Sequence, residues 1–187
     1  HLESNERAPL LRAYLWIGLG ALTKGPVALI VPGAVTCLYC LSRGEGLRWL
    51  RMIAHPAGWA ILLLLIAPWY AYALHRHGQD FINGFLLKHN VQRFSGALEG
   101  HGGNAAYYLV AVPLLLLPWS GLLGVALTRL RGDLANPLRR FLWIWFGFVL
   151  VFFSLSGTKL PHYVLYGCTP LFVLIGLHAD GARRIWP

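Results

Sequence analysis

Acidic side chains are scarce in this sequence: seven aspartates and glutamates stand against sixteen lysines and arginines, for a formal net charge of +9. Glu3, Glu6, Glu45, Asp133 and Asp180 fall near the termini or in arginine-rich connections, which leaves Asp80 and Glu99 in the one long polar stretch. Neither has a neighbour that marks it as a base, so each reads as a solvated loop charge and no catalytic residue is assigned. Cysteine is equally sparse. Cys37, Cys40 and Cys168 all lie inside apolar runs, which argues against a disulfide framework, and CLYC has the CxxC spacing without a second ligand pair, which argues against a zinc site. No metal site is assigned, and the need for a divalent metal stays open. Charge of either sign is low, at 12% of residues, whereas 57% are hydrophobic and the mean hydropathy is +0.55. An ordinary soluble domain is far less apolar.

The apolar residues fill whole windows, such as 59–72, 107–127 and 141–155, instead of marking one helical face. The expected fold class is therefore all-α, a polytopic transmembrane helical bundle over residues 1–187. Residues 9–41 would reach about 50 Å as one helix, beyond a hydrocarbon core of ~30 Å, so two helices are expected to meet at Thr23-Lys24-Gly25-Pro26. Further helices are expected at about 56–74, 105–127, 141–155 and 163–177, making about six membrane helices in all. Arg43, Arg48, Arg51, Arg129, Arg131, Arg139, Arg140, Arg183 and Arg184 then share one side, which the positive-inside rule makes cytoplasmic. The excess of positive charge thus reports topology and not nucleic-acid binding. Residues 75–104 become an external, periplasmic loop containing an interfacial amphipathic helix around Phe81, Phe85, His89 and Phe94. The absence of an initiator Met and of a leader pattern leads us to expect an internal piece of a longer protein.

Two polar breaks interrupt this apolar pattern. Lys24 precedes Gly25-Pro26, and Lys159 precedes Leu160-Pro161-His162-Tyr163. A lone lysine at a helix end commonly snorkels to the headgroups. Two such breaks on the external face, each beside a proline that frees backbone groups, instead favour a cavity rimmed by Lys24, His89, Arg93 and Lys159 that suits a phosphate headgroup with a lipid tail. His162 could hydrogen-bond a sugar or phosphate, or anchor its helix at the membrane surface. His75, His77, His89 and His101 give only a weak metal signal.

LTKGP (22–26), APWYAYAL (67–74), KHNVQRF (88–94), HGG followed by YYL (101–109), LLPW (116–119) and SGTKLPHYVL (156–165) occur in that order. Together they resemble the multi-spanning glycosyltransferases of the aminoarabinose transferase and protein mannosyltransferase type, over nearly the whole chain. The resemblance implies a GT-C-like fold in the bacterial inner membrane, with a periplasmic active face and a polyprenyl-phosphate-linked sugar as donor. The acceptor would be a lipid, such as lipid A, or a protein. By the same resemblance Lys24, Arg93 and Lys159 would contact the donor phosphate, and His89, His162 and Tyr163 would line the cavity. The family's catalytic acidic residue lies in a first periplasmic loop that precedes everything matched here, so a chain of this extent is expected to be inactive by itself. The alternative is a transporter or flippase for a lipid-linked or anionic solute, although neither an inverted repeat nor a buried charge pair is apparent. A noncatalytic membrane scaffold would need no gathering of cations on one face.

Overall fold

A computed structural model describes residues 6–92, 104 and 106–182. Every regular element among them is helical, as expected. The chain divides into two compact units, His1–Val91 and Gln92–Pro187.

In the first unit, α1 (Arg7–Lys24) stops at Gly25, whose φ of 68° suits a residue without a Cβ, and α2 (Val27–Ser42) restarts after Pro26. Gly44, at φ 72°, ends α2 with its N–H on the Leu41 carbonyl, while the Glu45 N–H reaches the Cys40 carbonyl at 2.8 Å. Next comes α3 (Gly46–Ile53), a short helix where a loop was expected, and then α4 (Pro56–Phe81). The core joins α1 to α4 through Leu10, Tyr14 and Leu62, with Ile17, Met52, Ile61 and Ile66 packed around them. Gly58 permits that crossing, since a Cβ there would overlap the edge of the Tyr14 ring and force it to shift. The Tyr14 hydroxyl passes beyond it to donate to the carbonyls of Met52 (2.8 Å) and Ile53 (3.0 Å), tying off the end of α3.

Helix α4 is broken at Gly78 (φ 53°, ψ −132°) and continues as wide π-type turns over Ile82–Gln92. Phe85 lies with its ring centroid 6.2 Å from that of Trp69 and 5.9 Å from that of Tyr70. Sixteen residues of unbroken helix would separate Trp69 and Phe85 by about 24 Å, so the chain turns back at Gly78. Phe81 and Phe85 stack at 5.3 Å and fasten the returning segment onto α4.

The second unit holds α5 (Tyr107–Leu115), α6 (Ser120–Asp133), α7 (Pro137–Leu155), a 3₁₀ turn at Pro161–Val164 and α8 (Leu165–Ala182). The single helix expected over 105–127 is two helices bent by 117°. Pro118 at the junction has no N–H to offer the preceding turn, and Trp119 bonds the Leu116 carbonyl at 2.7 Å instead. Asn136 caps α7 by accepting from the Arg139 N–H at 3.1 Å, with Pro137 in the first helical position. Gly167 lets α8 approach α7, since a Cβ there would stand 3.1 Å from the Val149 methyl.

Where no buried charge pair was expected, Asp133 is 1% exposed at the end of α6. Its carboxylate accepts from Trp143 Nε1 (2.9 Å) and Arg139 Nη1 (3.2 Å) and lies 2.8 Å from His178 Nε2. One side chain thereby joins α6, α7 and α8.

Among the described residues, two helices are long and apolar enough to cross a membrane: Pro56–Phe85, of which residues 56–77 already measure about 33 Å, and Pro137–Leu155. The bent pair α5 and α6 makes a third if it is one broken span. The count falls below the six expected because α1 carries Arg7, Arg12 and Lys24, α2 has only 16 residues, and α8 carries His178 and Asp180.

Replacing Asp133 with alanine should cost about 2–4 kcal/mol, because it strands three buried or half-buried polar partners at once. Thermal melts of the full-length protein in detergent should show a fall of several degrees for Asp133→Ala and a smaller one for Asp133→Asn. Equal melting of wild type and Asp133→Ala would mean the node is not structural.

Candidate functional site

Among the described residues of the second unit, the break between α7 and α8 departs most from helix. Helix α7 ends at Leu155, and Ser156 (φ −64°, ψ 141°) and Leu160 (φ −127°, ψ 136°) are extended. A helix end leaves carbonyls without N–H partners, and inside a membrane protein water is not there to take them. Lys159, 7% exposed, supplies the missing donor: its Nζ donates to the carbonyls of Ser154 (2.8 Å) and Ser156 (2.6 Å). A cation also suits the negative end of the helix dipole. The Ser156 hydroxyl donates to the Thr158 carbonyl at 3.1 Å, with Thr158 itself buried.

Tyr108, fully buried on α5, grips the same segment. Its hydroxyl donates to the Leu160 carbonyl at 3.0 Å and accepts from the Leu160 N–H at 3.2 Å, satisfying both backbone groups of one residue. Pro161 then starts the 3₁₀ turn. His162 is exposed and meets the Tyr163 ring edge-on, with centroids 4.9 Å apart, and Tyr163 packs 5.2 Å from Phe153.

Pro161 also forms one wall of a groove of about 520 Å³. The other wall is one face of α5, where Tyr107, Val110, Ala111 and Leu114 recur at helical spacing, and Asn104 stands at its margin. The lining is almost wholly apolar. A groove of this kind accepts a hydrocarbon chain and offers little to a sugar.

Of the expected site residues, Lys159, His162 and Tyr163 all fall in this break, where the His162 and Tyr163 rings meet. Lys159 faces the end of the preceding helix, α7, with its ammonium engaged by two carbonyls. In the first unit Lys24 is exposed at the last turn of α1, and no hydrogen bond or ion pair engages its ammonium among the described residues. His89 lies on the backbone of the 82–92 segment, and Arg93 lies outside the described residues. Among the described residues, no three His, Cys, Asp or Glu side chains gather as a metal site would require. Sequence reasoning overlooked Tyr108 and the α5 face. Their only signal was the paired tyrosines of YYL at the start of an apolar run, a place where a hydroxyl needs a partner.

No protein-family model matches the chain. It is 34% identical over 159 residues to an undecaprenyl phosphate-alpha-4-amino-4-deoxy-L-arabinose arabinosyl transferase of Pseudomonas paraeruginosa (strain DSM 24068 / PA7), covering 85% of this chain and 28% of that protein. To the enzyme of the same name from Yersinia pestis (strain Pestoides F) it is 35% identical over 170 residues, covering 90% of the chain and 30% of the relative. The fold superimposes with a TM-score of 0.80 on the crystal structure of ArnT from Cupriavidus metallidurans bound to undecaprenyl phosphate, at 30% identity over 93% of this chain and 31% of that one. The apo form of that protein gives a TM-score of 0.76. The chain spans just under a third of the length of these relatives. It is thus homologous to a segment of the multi-spanning undecaprenyl phosphate-aminoarabinose arabinosyl transferases and shares their membrane-helical fold.

Proposed function

We propose that this chain is the donor-binding part of an integral membrane glycosyltransferase of the bacterial inner membrane. The enzyme transfers a sugar from a polyprenyl-phosphate donor to a lipid acceptor, such as lipid A, or to a protein, at the periplasmic face. The observation that carries this reading is the apolar groove between α5 and Pro161, which meets a polar helix break at one wall. Such a groove suits a polyprenyl chain. By homology, the donor is undecaprenyl phosphate carrying 4-amino-4-deoxy-L-arabinose. Similarity to transferases supports this reading over a transporter or flippase.

Glycosyl transfer breaks the bond between the anomeric carbon and a phosphate oxygen, so negative charge grows on the departing phosphate. Cations placed there lower the barrier. Lys24, exposed and without a partner among the described residues, and Arg93 fill that role in this reading. Lys159 acts differently. With its ammonium on the carbonyls of Ser154 and Ser156, it is a positioning residue that shapes the wall on which Pro161, His162 and Tyr163 stand. Residues 75–104 form the external segment that carries His89 and Arg93.

In the full-length protein, Lys24→Ala and Arg93→Ala should each reduce sugar transfer in membranes by on the order of 10²-fold, with insertion and melting temperature unchanged. Near-normal transfer by both would overturn their assignment. Lys159→Ala should lower transfer and melting temperature together, the latter by several degrees, because two buried carbonyls lose their donor. A loss of transfer with no change in melting would point to direct phosphate contact. Ala111→Trp should fill the groove and raise KM for the undecaprenyl donor about tenfold, with a smaller effect on a donor bearing a short prenyl chain. Equal KM values for both donors in wild type and variant would place the lipid elsewhere.

A further inference from the structure

Helix α3 has no part in the site above, and its two sides differ sharply. The inner side is held to the first unit by three polar contacts: Trp49 Nε1 donates to the Gly33 carbonyl at 3.2 Å, and the carbonyls of Met52 and Ile53 accept from Tyr14. The outer side carries Leu47, Leu50 and Ile53 at i, i+3 and i+6, with Leu47 72% and Leu50 52% exposed. Leu41 at the end of α2 and Trp59 at the start of α4 extend this apolar surface, and the Trp59 indole N–H is turned inward onto the Ile53 carbonyl at 2.8 Å.

Connectivity fixes where this surface lies. Ile53 is followed at Pro56 by a helix long enough to span a bilayer, so α3 sits at the end of a span, at headgroup level. At eight residues, about 12 Å, it is too short to cross the bilayer itself. Its charges match that position. Arg43 and Arg48 hold Glu45 between them at 2.8 and 2.9 Å, and hydrogen bonds from Arg48 and Arg43 keep the Glu45 carboxyl below the usual carboxylate range. Arg51 is exposed, with no acidic partner among the described residues. Three arginines against one carboxylate leave a local net charge of about +2 beside an exposed leucine stripe.

We propose that α3, with Arg43, Arg51 and Trp59, is a surface anchor that binds anionic phospholipid headgroups, its leucines lying in the acyl boundary of the arginine-rich leaflet. The basic rim selects anionic over zwitterionic lipid, and the apolar stripe supplies the immersion. Each arginine engaged at an anionic surface adds about fivefold to the association. The proposal does not depend on the transferase reading, because α3 contributes no residue to the proposed site.

The test is hydrogen–deuterium exchange of the full-length protein in nanodiscs of phosphatidylcholine alone and of phosphatidylcholine with about one third phosphatidylglycerol. Amides of residues 46–53 should exchange several-fold more slowly with the anionic lipid. That protection should be lost for the most part in Arg51→Gln and vanish at high salt, while exchange in α1 and α4 stays as in wild type and so reports an intact fold. Equal exchange in the two lipids would overturn the proposal. Protection that followed protein concentration and not lipid composition would also overturn it, and would assign the stripe to a second copy of the chain.

Discussion

Almost wholly buried, the Lys159 ammonium donates to two carbonyls where α7 ends in a setting that excludes water. Removing a cation from solvent is costly unless its donors are met, and a helix end without partners is costly for the same reason. Each problem offsets the other. With the end of α7 tied off, the chain can run extended from Ser156 to Leu160, and Tyr108 takes up both backbone groups of Leu160 from α5. The position of Pro161 against α5, and hence the width of the apolar groove, follows from these two side chains.

The first unit solves a similar problem with a neutral group. Tyr14 crosses α4 where Gly58 leaves room for its ring, and its hydroxyl reaches the last carbonyls of α3. A larger residue at position 58 would displace the ring, and with it the cap on α3. Packing and backbone satisfaction are thus carried by the same side chain. In both units, a long polar side chain from one element closes the end of another, which lets short helices and breaks persist beside apolar spans.

Much of this was legible in the sequence where a local cause acts. Gly25 and Pro26 stop and restart a helix by their own backbone chemistry, so the break at residues 24–27 could be read directly. The reading failed where the cause is distant. Asp133 looked like a cytoplasmic loop charge because its partner His178 stands 45 residues away. Arginines at positions 43, 48 and 51 marked a loop, although Leu47, Leu50 and Ile53 between and beyond them have the spacing of a helix. The bend between α5 and α6 was hidden by an unbroken apolar run, in which Pro113 continues within helix while Pro118 stands at the bend. In the site, Lys24 and Lys159 could be picked out as cations at breaks, but their different surroundings depend on how each chain segment turns.

That difference has a physical source in one residue. The segments Thr23-Lys24-Gly25-Pro26 and Thr158-Lys159-Leu160-Pro161 share a Thr-Lys-x-Pro pattern and differ at the third position. Gly25 can adopt φ 68°, so the chain turns tightly: the Gly25 N–H reaches the Ala21 carbonyl, and the Gly25 and Pro26 carbonyls accept from Ala28, Leu29 and Ile30. The lysine side chain stays exposed at this turn. Leucine is disfavoured in that region, and Leu160 instead takes φ −127° and ψ 136°, which opens the chain and leaves the end of α7 to be closed by Lys159. One glycine therefore leaves Lys24 available for a ligand, while a leucine at the matching place commits Lys159 to the fold. Two cations that look equivalent in sequence thus differ in their surroundings, Lys24 exposed at a tight turn and Lys159 engaged by the end of α7.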